Sequence, residues 1–324
     1  MECQFYLSRI GYFGGIIILI ILSFNLTESR VFSESNQSEL SCNCVAFRLD
    51  DIQDYWLDDV QIEIMSKFEE KSIPLTIGII GNQIGEDQKI LNILKKIRFD
   101  VNNFEVANHG WKHEDFSIIS LEQQSVLIKL TNDKVFDIIG TVPTVFIPPF
   151  NQFNENTLIA IKQNGITHLS SSIIKGDFPP FLLKDSEMYR FPETATTGKF
   201  NNEINLFVGE NPDITFSNIE SSLEKYGFAV ITMHPQEFSI IKNETYVNQI
   251  NQKQIENLEL LISKIKDSKL KIVQIGQINL DSDLNFIIPS WIKNNAGWWA
   301  DGQIDDTTFV QGIQYMITKG IIVI

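Results

Sequence analysis

A chain of 324 residues with 43% hydrophobic content can bury one large core with small attachments, and this composition excludes a disordered chain. Lys+Arg 26 against Asp+Glu 41 leaves a formal charge of −15, which argues against nucleic acid or an anionic lipid surface as the main partner. A neutral or cationic substrate suits that balance.

Arg9 is followed by the apolar run Ile10 to Phe24, a basic start and a hydrophobic stretch of signal-peptide or short-anchor size. Residues 1–26 are therefore expected to direct export. No small-x-small cleavage pattern follows in NLTESR, so removal and retention as a membrane anchor are equally open. Residues 27–41, polar and rich in Ser and Glu, read as a linker. Cys42 and Cys44 lie two apart, and Cys3 falls on the far side of the apolar run. A tight local disulfide, free thiols and intermolecular pairing all remain open. The sequons at Asn25, Asn36 and Asn243 suit an exported protein but recur by chance.

From Cys44 onward short β-branched runs alternate with amphipathic ones. Strands are expected at Val45–Leu49, Leu75–Ile80, Phe104–Ala107, Thr144–Ile147, Thr167–Leu169, Met188–Phe191, Ala229–Met233 and Leu270–Ile275. Helices are expected at Asp58–Lys71 and Gln88–Ile97, from a Ser120/Gln123 capping box to Ile139, and from Asn154 to Gly165. Another capping box, Ser217-x-x-Glu220, opens a helix closed by Gly227, and the spacing from Ile255 to Ile265 gives a final long one. Pro192–Asp213 reads as irregular. Seven or eight β/α units over residues 42–285 predict an α/β fold, a distorted (β/α) barrel with its helices outside.

Functional residues of such a fold gather where strands end. The first strand ends in Asp50 and Asp51, one carboxylate for a metal and a neighbour to take a proton from water. The third is followed by Asn108-His109-Gly110-Trp111-Lys112-His113, whose two histidines four apart can reach one metal. After the fourth comes Pro148-Pro149-Phe150-Asn151, and after Ala229–Met233 comes His234-Pro235-Gln236. Three of the four histidines thus fall just past strand ends. Two imidazoles and a carboxylate to hold a metal, with a second carboxylate and a third histidine as base and acid, describe metal-assisted hydrolysis of an amide or ester. Fe(II) oxygen chemistry could use the same triad but gives Asp50 and His234 no work.

LDD, HGWKH, IPPFN and MHP, in this order and spacing, resemble the polysaccharide deacetylases of the NodB-homology type, more closely a divergent branch with an R-x-DD opening. The resemblance spans Cys44 to Ile278. It implies a distorted (β/α) barrel that removes N- or O-acetyl groups from a glycan with Zn²⁺ or another divalent metal. It makes Asp50 the general base, Asp51, His109 and His113 the metal ligands, and His234 the general acid. The family's proline-containing motif carries an arginine that orients the catalytic aspartate; here that place reads Phe146-Ile147-Pro148, so Arg48 or Arg190 must substitute. Arg48, two residues before Asp50, shares its face of an extended strand. The family's acidic fourth motif has only Asp177-Phe178 as a loose match. A catalytically inactive glycan-binding or envelope-structural protein on the same barrel is the alternative.

Trp111 and Trp56 are candidates to stack on a sugar ring, and Asn151 to hold product acetate or to stabilise a turn. His168 reads as structural. From Ile288 the composition shifts and three of the five tryptophans fall in the tail. Residues 286–324 are expected to form a short helical module, with Phe309, Ile313, Tyr315, Met316 and Ile317 as its apolar face. It resembles helical pairs at the ends of archaeal envelope proteins and is expected to dock on envelope partners.

Overall fold

The computed structural model describes residues 42–100, 102–173, 182–183, 188–278 and 296–318. The expected N-terminal segment and linker, and Asp177-Phe178, lie outside the described residues. Among the described residues no helix is long and apolar enough to cross a membrane.

The first half of the barrel alternates as its sequence does: β1 (Cys44–Ile52), α1 (Asp58–Glu70), β2 (Leu75–Ile79), α2 (Gln88–Ile97), β3 (Phe104–Asn108), α3 (Leu121–Ile139), β4 (Val145–Phe146), α4 (Glu155–Gln163) and β5 (His168–Leu169). The caps carry these boundaries. Ser120 and Gln123 form the reciprocal capping box expected of α3, Gly140 ends it in the left-handed conformation, and Asn154 caps α4.

The second half is less regular. It runs through β6 (Leu182–Leu183), β7 (Met188–Arg190), β8 (Ala195–Thr196), β9 (Gly198–Asn201), β10 (Leu206–Gly209), α5 (Pro212–Tyr226), β11 (Phe228–Met233), β12 (Ser239–Lys242), β13 (Thr245–Ile250), α6 (Gln252–Asp267) and β14 (Lys271–Val273). Two expectations are overturned here. Pro192–Asp213 is not irregular, because β8 joins the main sheet and β9 pairs antiparallel with β10. Ser217 and Glu220 do not open a helix: Asn211 caps α5 at Asp213, with Pro212 in the first turn, so Ser217-x-x-Glu220 lies inside the helix. Proline at the first helical position, already in the sequence, is the stronger start signal.

The main sheet runs β6-β7-β5-β4-β3-β2-β1-β11-β8, with β14 also on β1. Its pairs are parallel except β6 with β7, a curled (β/α) barrel-like sheet. β1 is central, and its alternation sorts the core. Val45, Phe47 and Leu49 pack with Ile64, Phe68, Ile90, Leu94 and Ile262 beneath the helices. Cys44 and Ala46 pack with Ala107, Val145, Phe228 and Val230. The period of two therefore carries Arg48 and Asp50 onto the same face as Cys44 and Ala46. In the tail, residues 296–300 are helical and α7 (Asp306–Thr318) follows. The Trp299 ring stacks on Phe309, and its Nε1 donates to Asp306 Oδ1 at 2.9 Å.

Candidate active site

Strict alternation would send Asp51 to the face opposite Asp50. The backbone prevents this. The β1–β2 register shifts between Leu49 and Ile52, and Asp51 sits at φ 63°, a left-handed conformation costly for a residue with a side chain. This irregularity lets two consecutive carboxylates serve one strand end.

Asp51 is directed at two imidazoles. His109 and His113 each bring Nε2 to 3.2 Å from Asp51 Oδ1, and the three ligand atoms lie within 4.8 Å of one another. His109 Nδ1 donates to the Ile147 carbonyl at 2.8 Å, which fixes the tautomer and leaves the Nε2 lone pair for a cation. The turn between them is held from several sides. Gly110 at φ 76° and His113 at φ 65° reverse the chain, Asn108 Oδ1 accepts from Gly110 N, and Glu114 Oε2 accepts from the Trp111 and Lys112 amides. Phe150 packs edge-on against His113 at 4.4 Å. Burial pushes the Asp51 carboxyl up, but the imidazoles of His109 and His113 beside it outweigh burial and hold the group below the usual carboxylate range. A carboxylate and two imidazoles with converging ligand atoms fit a divalent cation with positions left for water and substrate.

Asp50 belongs to a different network. It is 1% exposed and clamped by Arg48, whose Nε lies 2.9 Å from Oδ1 and whose Nη2 lies 2.7 Å from Oδ2. Arg48 also donates to Ser170 O and Oγ and to Asn151 Oδ1, while Asn151 Nδ2 donates to Glu193 Oε1 at 2.9 Å. Of the two arginines open to the role, Arg48 is the one at Asp50. Arg190 reaches Ser171 Oγ and Ser172 O and lies over the Phe153 ring. Burial opposes ionisation of Asp50, yet Arg48 foremost, with His109 and His234, keeps its carboxyl below the usual range.

His234 Nε2 stands 3.9 Å from Asp50 Oδ2, and its Nδ1 is 3.0 Å from Glu237 Oε1. Glu237 is 2% exposed and takes a 2.6 Å hydrogen bond from Thr197 Oγ1. Burial pushes the His234 imidazole down, but the hydrogen bond and charge of Glu237, then Asp50 and Asp51, raise it to about 9. Glu237, Glu193 and Ser170 escaped the sequence reading. Glu237 alone had a local signal, sitting three residues after His234. Glu193 and Ser170 reach Arg48 only through the fold. His168, stacked on Tyr189 and pushed down to about 4 by burial, stays apart from these networks.

Trp111 lies between the two ligand histidines and lines a cavity of about 520 Å³ with Tyr55, Asn82 and Lys134. The Asn151 side chain is engaged by Arg48 and Glu193, a bridging contact that neither of its two expected roles named. Trp56 is half-buried against the core cluster.

Residues 37–169 match the family model for polysaccharide deacetylase. That span holds the whole cation triad, Arg48, Asp50 and Asn151, and ends before His234. No curated protein matches the chain. Among solved structures, a Mycobacterium smegmatis protein classed with the polysaccharide deacetylases is 14% identical at a TM-score of 0.53, over 74% of this chain and 90% of its own. A peptidoglycan N-acetylglucosamine deacetylase in complex with 4-naphthalen-1-yl-N-oxidanyl-benzamide is 16% identical at 0.50, over 74% and 89%. A CE4 family pseudoenzyme from Bacillus anthracis is 18% identical at 0.48, over 74% and 66%. The two likenesses at a TM-score of 0.50 or above show the fold. The family match covers the part of the chain that carries the first motifs, and it agrees with the resemblance read from them.

Proposed function

We propose that this protein is a divalent-cation-dependent hydrolase that removes acetyl groups from a carbohydrate outside the cytosol. The observation that carries the reading is the division of labour between adjacent carboxylates: Asp51 faces two imidazoles, while Asp50 is clamped by Arg48 beside His234.

Asp51, His109 and His113 would hold the cation, Zn²⁺ or another divalent ion, which when bound supplies acidified water and polarises the acetyl carbonyl. The protein's own groups handle the protons. Asp50, kept ionised by Arg48, takes a proton from the attacking water. His234, protonated at neutral pH because Glu237 accepts from Nδ1, presents Nε2–H to the departing nitrogen or oxygen. Base and acid are thus held in opposite charge states at one pH by their surroundings. Acetate and a free amine or hydroxyl balance the consumed water. The Cys42–Cys44 disulfide supports an oxidising location, in keeping with an exported chain tethered or released through its N-terminal segment.

The test is acetate release from N- and O-acetylated oligosaccharides by wild type and Asp50→Asn, each loaded with Zn²⁺. Release by wild type, reduced about 10²–10⁴-fold in the variant, supports the hydrolase. Glycan binding without release by either protein would instead identify the catalytically inactive alternative.

A further inference from the structure

Of the three sequons, Asn25 and Asn36 lie outside the described residues, and Asn243-Glu244-Thr245 falls at the tip of the β12–β13 hairpin. No step of the proposed hydrolysis uses it. Lys242 pairs with Thr245, so Asn243 and Glu244 make up the whole turn, at φ 49° and 55°. A two-residue hairpin turn with positive φ at both positions favours asparagine first and glycine second. That preference accounts for Asn243. It does not account for Glu244, whose left-handed backbone costs about 1–3 kcal/mol, nor for the threonine that completes the motif.

The hairpin is held at its base and open at its tip. Tyr246 Oη accepts from Phe207 N at 2.7 Å and donates to Phe207 O at 3.0 Å, and Asn248 Oδ1 accepts from the Asp59 amide at 3.0 Å. Asn243, Glu244 and Thr245 are all exposed. The Asn243 side-chain amide has no hydrogen-bond partner among the described residues, while Thr245 Oγ1 donates back to the Asn243 carbonyl at 3.3 Å. The hydroxyl that the motif requires is thus folded onto its own asparagine. A bulky, solubilising group on this amide would displace no packed side chain and break no bond of the fold. The Cys42–Cys44 disulfide supports the oxidising location in which such a motif, on a surface turn of an exported chain, serves as an acceptor.

We propose that Asn243 is a modification site, the acceptor of an N-linked glycan delivered by a membrane transferase from a lipid-linked oligosaccharide. Asn243 Nδ2 attacks the anomeric carbon of the donor sugar. The bond from that carbon to the lipid-phosphate oxygen breaks, the lipid phosphate leaves with the bonding pair, and the amide gives one proton to the transferase. The step needs no oxidant or reductant. The inference rests on the location outside the cytosol in the reading above and not on turnover.

The full chain is isolated from the cells that naturally make it, its free thiols are capped, and the mass of the tryptic peptide 243–253, in which Asn243 is the single sequon, is measured. Most copies of the wild-type peptide are expected to be heavier by a glycan that fragmentation places on Asn243. Asn243→Gln and Thr245→Ala, made in the same cells, are expected to lose it, the second with the asparagine still present, and Thr245→Ser to keep it. Acetate release is expected to be unchanged in all three. Unmodified peptide from chains whose Cys42–Cys44 bond is intact overturns the site and leaves the location standing. Unmodified peptide from chains with both cysteines as free thiols overturns the site and the location together, and a modification retained by Thr245→Ala also overturns the proposal. A glycan on Asn243 in protein that releases no acetate sinks the hydrolase reading and leaves the site standing.

Discussion

The two halves of the barrel do different work and carry different amounts of local order. From β1 to β4 each strand is followed by a helix, side-chain-capped after β2, β3 and β4, and this half supplies Asp51, His109 and His113 from two strand ends. From β6 to β14 two hairpins interrupt the pattern, and this half supplies Glu193, Thr197, His234 and Glu237. The difference teaches that a cation triad can be built from short-range sequence, two strand ends and one turn. The groups that brace Arg48 and Glu237, namely Asn151, Ser170, Glu193 and Thr197, are instead brought in from across the fold.

That division predicts separable losses. The largest effect falls on the first half: Asp51→Asn or His113→Ala is expected to abolish cation binding and lower acetate release by at least about 10³-fold, measured by metal analysis and a steady-state assay on the same samples. Next is Arg48→Ala, which leaves the 1% exposed Asp50 carboxylate buried without its partner. Stability is expected to fall by about 3–5 kcal/mol in chemical denaturation, with turnover lost alongside.

Glu237→Gln sharpens the comparison, because it alters proton affinity and leaves the triad alone. His234 is raised to about 9 with Glu237 in place, so its stabilisation is complete below about 6.5, the ordinary histidine value, and is lost as pH rises through about 9. Removing the glutamate charge lets the imidazole fall. The alkaline limb of the kcat profile is then expected to move to lower pH, with activity at pH 8.5 reduced about tenfold and activity near pH 6 little changed. An unmoved limb would give Glu237 a packing role only. The smallest effect is expected from Asn211→Ala, which removes the α5 cap and should cost about 1 kcal/mol in thermal unfolding without touching cation binding.

The same comparison shows what the sequence made legible. Alternating apolar runs, Ser120 with Gln123, Asn154 and Gly140 marked elements that the fold keeps, because caps and periodicity are local. Asp50, Asp51, His109, His113 and His234 were readable as residues past strand ends. The left-handed turn at Asp51 was not, since nothing in LDDI announces a shifted register. Arg48 was one of two candidates until the fold set it 2.7 Å from Asp50 Oδ2. Asn151 read as an acetate contact or a turn residue, and its amide links Arg48, 103 positions before it, to Glu193, 42 positions after it. Hairpins β9–β10 and β12–β13 were missed because short polar strands carry little hydrophobic alternation.

Cation stoichiometry tests the centre of this picture most directly. Wild type, Asp50→Asn and His113→Ala, each incubated with Zn²⁺ and freed of excess, are compared by metal analysis. One tightly held ion per chain is expected in wild type and in Asp50→Asn, and none in His113→Ala. No ion in wild type, or equal retention by His113→Ala, would contradict a cation held by Asp51, His109 and His113.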